Sequence, residues 1–379
     1  MQDKQIEELI KKYQAGDATH EEIAFLESWY LNHNEADKAI LHPDGLLEDA
    51  ADVWSRLHPA KRSANYSSIW PWLAAAACLV LFFYFGSQFI STASNKKEQL
   101  TQHKTHAILP GSSKAILTLA NGRKIILTDS GNSNFGKQGN TSISKTANGQ
   151  LVYKVESGVG TAGTALIYNT ITTPMGGQYW VVLSDGSRVF LNAGSSLRYP
   201  TSFNGTERKV ELQGEAYFEV AHNNKVPFKI VTDGQVVEDI GTSFNINAYG
   251  DDPVIKTTLI EGAVKISTTA DNLVLKPGQQ AQVDNGAPGA AIKLIKHANL
   301  NEVLAWKNGL FEFDNSTIKQ VMNSTSRWYD FKVIYENKVP DIKISGRISR
   351  NVDFSGLIAL LKFEGIKFSI DGRNVTITN

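Results

Sequence analysis

The chain has 379 residues, room for roughly two to four domains, and its charge balances at zero, 38 Lys and Arg against 38 Asp and Glu. The balance is uneven: residues 1–62 carry seven Lys/Arg and thirteen Asp/Glu, a net of −6, which leaves +6 on the remainder. No basic stripe interleaved with aromatics occurs, which argues against direct nucleic-acid binding, and a single cysteine, Cys78, excludes an intramolecular disulfide.

Residues 1–62 read as a small all-α domain of short helices. Ile6, Leu9, Ile10 and Tyr13 fall at helical spacing before Gly16, and Thr19 with Glu22 makes a capping box for a second helix carrying Ile23, Leu26, Trp29 and Tyr30. A last helix holds Leu46, Leu47, Val53, Trp54 and Leu57. So short a domain buries little surface, so Trp29 and Trp54 are its core anchors and its remaining apolar surface favours docking onto a partner. Between Arg62 and Lys96 no residue is charged, and Ile69–Ile90 is expected to be one transmembrane helix, with Trp70, Trp72 and Tyr84 at its ends. Three basic residues flank each side, so the positive-inside rule leaves the orientation open. Residues 91–107 read as a polar linker. Its His103 and His106 lack a third ligand and predict no metal site.

Beyond Ile108 the apolar period changes to two, which predicts an all-β domain over 108–295, as a sandwich or a stacked solenoid. Leu117–Leu127 reads as a hairpin through Asn121-Gly122, and the pattern returns 64 residues later through Asp185-Gly186. Separate strands are expected at Val210–Leu212 and Ala216–Val220, followed by others as far as Ala281–Val283. Gly158, Gly160 and Gly163 match a dinucleotide-binding pattern, but β-favouring residues follow where a helix would have to open, so no cofactor is expected. Glu211, Glu215 and Glu219 stand at even spacing and predict one exposed charged face.

Residues 300–379 read as an α+β module of order β-α-β-β-α-β. Strands are expected at Leu310–Phe313, Phe331–Tyr335, Ile342–Ile348, Lys367–Ile370 and Val375–Thr378. One helix, capped by Asn315 or Ser316, carries Ile318, Val321 and Met322. The other carries Phe354, Leu357, Ile358 and Leu361 and stops at Gly365. The chain lacks a Gly-x-Ser-x-Gly elbow, a His-Glu-x-x-His pair, a phosphate loop and paired cysteines, so no catalytic or metal centre and no enzyme activity is expected.

The stretch Arg208-Lys209-Val210-Glu211-Leu212-Gln213-Gly214-Glu215-Ala216-Tyr217-Phe218-Glu219-Val220 resembles FecR-type transmembrane sigma-factor regulators. The likeness continues through Pro227-Phe228, Gly241-Thr242-Ser243-Phe244-Asn245-Ile246, Leu259-Ile260-Glu261-Gly262 and Leu275-Lys276-Pro277-Gly278-Gln279-Gln280, after an insertion-like region at 108–170. Trp306-Lys307-Asn308-Gly309 and Arg327-Trp328-Tyr329 resemble the domain that closes such regulators in bacteria of the Bacteroides type, itself similar to the short N-terminal domain of secretins and TonB-dependent receptors. The resemblance implies an inner-membrane protein with its N-terminus cytoplasmic and its C-terminus periplasmic. Residues 1–62 would bind an extracytoplasmic-function sigma factor, with Trp29 and Trp54 at or near the contact. Residues 300–379 would meet the signalling domain of a TonB-dependent outer-membrane receptor, with strands such as Val375–Thr378 pairing edge to edge. It also implies self-cleavage between Gly241 and Thr242 as a possibility, although no activating base is evident in the sequence. The alternative reading is a structural or glycan-binding envelope protein.

Overall fold

The structure, a computed structural model, describes residues 108–378 except 129–130, 148, 156–165, 240, 287–288 and 338, together with Lys12. The described residues are mostly β, which corrects the expected fold class: an all-α N-terminal domain and a transmembrane helix are not supported, because no helix of the described residues is long and apolar enough to cross a membrane. The stretches expected to form them, residues 1–62 and Ile69–Ile90, lie outside the described residues apart from Lys12, as do Trp29, Trp54, His103, His106 and Gly158, Gly160 and Gly163.

Eighteen strands build two sheets by progressive winding. Strands β1 (Ser112–Thr118) and β2 (Lys124–Thr128) form the Asn121-Gly122 hairpin in the first sheet, and Gly122 supplies the left-handed φ of +80° that the turn demands. Strands β3 (Ser133–Gln138), β4 (Thr141–Lys145) and β5 (Leu151–Val155) make a meander in the second. Strand β6 (Tyr168–Thr172) returns to the first sheet, and β7 (Gly177–Val182) and β8 (Arg188–Leu191) form the Asp185-Gly186 hairpin in the second. Next come β9 (Ser196–Pro200) in the first sheet and β10 (Arg208–Glu219) in both. Strands β11 (Phe228–Val231) and β12 (Val236–Asp239) lie in the first sheet, β13 (Ser243–Ala248) and β14 (Val254–Glu261) in the second. Strands β15 (Val264–Ser267) and β16 (Asn272–Leu275) extend the first, and β17 (Gln280–Asp284) and β18 (Lys293–Ile295) the second. Each hairpin is laid beside its predecessor, so the domain combines the layers of a sandwich with the advance of a solenoid. The insertion-like region 108–170 supplies β1 to β5 and the start of β6.

Strand β10 replaces the two strands expected there. Arg208–Gln213 pairs with β9 and β11, and Gly214–Glu219 pairs with β8 and β13. The switch occurs at Gly214, at φ +84°, where a Cβ would stand 2.6 Å from Ser195 Oγ, so only glycine turns this corner. Apolar faces of both sheets meet in one core that includes Leu117, Val181, Leu212, Phe218, Phe244 and Leu259. The Phe218 and Phe244 rings stack with centroids 5.2 Å apart.

The C-terminal module opens with α1 (Leu300–Leu304), too short to show a period in the sequence. Strand β19 (Leu310–Thr317) leads into α2 (Ile318–Tyr329), followed by β20 (Lys332–Tyr335) and β21 (Lys343–Ser349). Helix α3 (Phe354–Phe363), β22 (Lys367–Asp371) and β23 (Asn374–Thr378) close the chain. Thr317, not Asn315 or Ser316, caps α2, in a capping box with Gln320. Ile318, Val321, Met322, Leu357, Ile358 and Leu361 from the two helices share a second core with Phe311, Ile344, Val375 and Ile377. Strand β23 lies between β20 and β22, which corrects the expectation that Val375–Thr378 is a free edge. The edges of this sheet are Lys332–Tyr335 and Lys367–Asp371.

Candidate functional site

Two places gather polar side chains that the fold alone does not require. The first is the joint between the β domain and the C-terminal module, which belong to one compact unit. Arg350, just beyond β21, is 2% exposed, and its guanidinium lies 4.0 Å from the Trp328 ring centroid. It donates to Asn192 Oδ1 at 3.0 Å and to the Trp306 carbonyl at 3.2 Å, so one cation fastens the module to the end of β8. Arg327 on α2 donates to Asp251 at 2.7 Å and to Asp252 at 3.0 Å, and lies over the Tyr249 ring. Trp328 packs so close to Gly111 that a Cβ there would fall 2.5 Å from the indole. The Trp306 and Arg327-Trp328 motifs, read in the sequence as marks of a module, are thus part of its attachment.

Glu215 is the buried member of its carboxylate series, which corrects the expected exposed face. The alternation runs on through Gly214, with Val210, Leu212, Ala216 and Phe218 all in the core. Glu215 therefore shares the outer face with Glu211 and Glu219 and is buried because the C-terminal module covers that face. Glu211 and Glu219 are half-buried and pair with Arg198 and Arg188. Glu215 accepts from Asn192 Nδ2 at 2.7 Å and from Asn245 Nδ2 at 3.0 Å. Burial pushes its pKa up, against the opposing pull of those hydrogen bonds and of Arg327 and Arg350. Asn245 in turn accepts from Trp306 Nε1 at 3.2 Å, so the network crosses the joint.

The second place is the turn between β12 and β13, which carries Gly241 and Thr242. Gly241 has φ +95°, and a Cβ on it would overlap His222 Nδ1, so this position admits only glycine. Thr242 is 5% exposed, and its hydroxyl donates to Asp239 Oδ1, while the Gly241 N–H donates to Asp239 Oδ2 at 2.8 Å. The Thr242 carbonyl accepts from Val220 N–H at 3.0 Å, which fixes the turn against β10. Asp239 is the acceptor that sequence reading did not name; the signal was its position three residues before the threonine, at the end of a strand. Among the described residues, no group of three or more His, Cys, Asp or Glu is arranged to hold a metal.

Comparison with known families gives two matches in chain order. The model described as FecR protein matches residues 169–265, and the model described as FecR, C-terminal matches residues 310–377. The chain carries a FecR domain followed by a FecR C-terminal domain, which supports a FecR-type regulator. Two crystal structures of a candidate anti-sigma factor from Parabacteroides distasonis ATCC 8503, at 1.65 and 2.50 Å resolution, resemble this FecR-type chain. Each has 28% identity to it and a TM-score of 0.51. The first covers 55% of this chain and 98% of its own, the second 56% and 99%. The curated proteins contain no match. Family and neighbour are regulatory, and together they support a role in regulating a sigma factor. The FecR match takes in Glu215 and the Gly241-Thr242 turn, and the C-terminal match takes in Arg327 and Arg350, so the joint lies between the two matched regions.

Proposed function

We propose that this FecR-type protein binds an extracytoplasmic-function sigma factor through residues 1–62 and responds to the signalling domain of a TonB-dependent outer-membrane receptor through residues 300–379. The observation that carries the reading is the pair of family matches, FecR over residues 169–265 and FecR, C-terminal over 310–377. The contacts of Arg327 and Arg350 between the two give a partner on one a route to the other. The −6 charge of residues 1–62 suits a basic partner surface and steers the encounter. In this reading the chain sits at the inner membrane with its N-terminus cytoplasmic and its C-terminus periplasmic, and no nucleic acid is contacted directly. The test is affinity capture of the full-length chain from its own cells with identification of co-purifying proteins. A sigma factor is expected, and Trp29→Ala or Trp54→Ala should reduce its recovery. Capture that repeatedly returns no sigma factor would sink the proposal.

A second activity is favoured by the position of Asp239. We infer that the Gly241-Thr242 bond cleaves itself. The Thr242 hydroxyl attacks the Gly241 carbonyl carbon while Asp239 takes the hydroxyl proton. The Thr242 nitrogen is protonated and leaves, an ester joins the two residues, and water hydrolyses it to a Gly241 carboxylate and a Thr242 with free hydroxyl and amine. Purified chain should yield a fragment whose N-terminus is Thr242 on prolonged incubation, and Thr242→Ala and Asp239→Asn should each abolish it. A single full-length band under denaturing conditions overturns the inference.

A further inference from the structure

The joint holds a partly open cleft of about 400 Å³, a size usual for small-molecule sites. Its floor is the outer face of the second sheet, whose other face is core. Register puts Asn245, Thr258, Gln280 and Ile295 in one cross-strand row, and Glu215, Asn247, Lys256 and Gln282 in the next, and all eight line the cavity. Its roof comes from the C-terminal module, chiefly Trp306, Phe313 and Ser324. A sheet face covered by another element is ordinarily apolar, and this one carries amides, a hydroxyl and two charges.

Part of that polarity is consumed. Asn245 is held between Glu215 and Trp306, and Gln280 donates to Thr258 while accepting from Gln282. The side chains of Asn247, Lys256 and Ser324, and the Gln282 carbonyl oxygen, have no hydrogen-bond partner among the described residues. They offer both donors and acceptors. The charges are answered within the protein: Glu215 faces Arg327 and Arg350, and Lys256 faces Glu302. An entering anion meets Glu215, Asp252, Glu302, Glu312 and Asp314, and an entering cation meets Lys256 and Arg327, while Asp252 and Glu312 are already paired with Arg327 and Arg347. Trp306, Phe311 and Phe313 are the aromatic residues of the roof.

We propose that this cleft binds a neutral, hydroxyl-rich small molecule the size of a mono- or disaccharide, held between the Asn247–Gln282 row and the Trp306 side of the roof. The proposal is independent of the sigma-factor reading, because binding is measured without a protein partner. Because floor and roof belong to different parts of the fold, an occupant would also tighten the joint.

The experiment titrates the full-length purified chain with cellobiose, maltose and diacetylchitobiose, followed by ligand-observed NMR and calorimetry. Glucose 6-phosphate and a lysine dipeptide serve as the anionic and cationic comparisons. Binding of at least one neutral disaccharide is expected, weakened about tenfold or more by Asn247→Ala combined with Gln282→Ala. Ser324→Trp, which fills the cavity from the roof and leaves the floor intact, should abolish it. Should the double variant lose its fold, Ser324→Trp decides alone. The proposal is overturned if none of the three neutral sugars binds, if binding survives Ser324→Trp unchanged, or if only the phosphate or the dipeptide binds.

Discussion

At the scale of single residues, Glu215 makes pH a reporter of the joint. Its pKa is raised in the folded chain, so the folded state holds a proton that the unfolded state has released in the window above the ordinary carboxylate value of about 4.5. The stability it contributes is therefore full below that value and is lost as pH rises through the folded pKa. Glu215→Gln should flatten this part of the pH profile, seen as a smaller fall in Tm between acid and neutral pH than in the parent chain. An identical profile would remove Glu215 from the account. Gly241→Ala makes a separate prediction: with φ +95° and His222 against its Cα, alanine should destabilise the chain by about 1–3 kcal/mol, read by denaturant unfolding. Neither residue's environment was fully legible in the sequence. Even spacing put Glu215 on the right face of the strand, but alternation does not tell that the C-terminal module, far later in the chain, covers that face. Asp239 and Arg350 act across turns and long separations, which periodicity does not encode.

At the scale of elements, local chemistry was the readable part. Asn121-Gly122 and Asp185-Gly186 placed two hairpins, and apolar spacing identified the buried faces of α2 and α3. Pairing partners were not readable, so β23 was assigned to an edge although it is the middle strand. Under the proposed receptor contact, the strands with a free edge are β20 and β22. Strand β22 is exposed along most of its length, and Ile370 on it is 46% exposed. An edge strand with an exposed apolar side chain is suited to accept another strand. Ile370→Asp should weaken capture of a receptor signalling domain about tenfold and leave Tm within a degree or two, whereas Thr376→Asp on β23 should do so only by lowering Tm. Pull-down and thermal unfolding on the same preparations decide between them.

At the scale of the whole molecule, the two cores are predicted to unfold together because of the buried attachment. Removing Arg350 takes the donor away from Asn192 Oδ1 and from the buried Trp306 carbonyl, a loss of about 1–3 kcal/mol for each buried acceptor left short. Arg350→Met should therefore split a single calorimetric transition into two, one for each core; one unsplit transition at lower temperature would mean that other contacts suffice. The interleaved winding has a mechanical consequence for the Gly241-Thr242 turn. Strands on either side of that bond remain paired across it: β10 holds β13 over six residue pairs, and β12 holds β15 over four. A chain cut there would keep its shape and run as one species in a native gel, yet it would have exchanged a covalent backbone for two hydrogen-bonded ladders. Tension applied through the C-terminal module would then peel β13 to β18 away at forces that the uncut chain resists, turning a silent nick into a weak link that yields only when pulled.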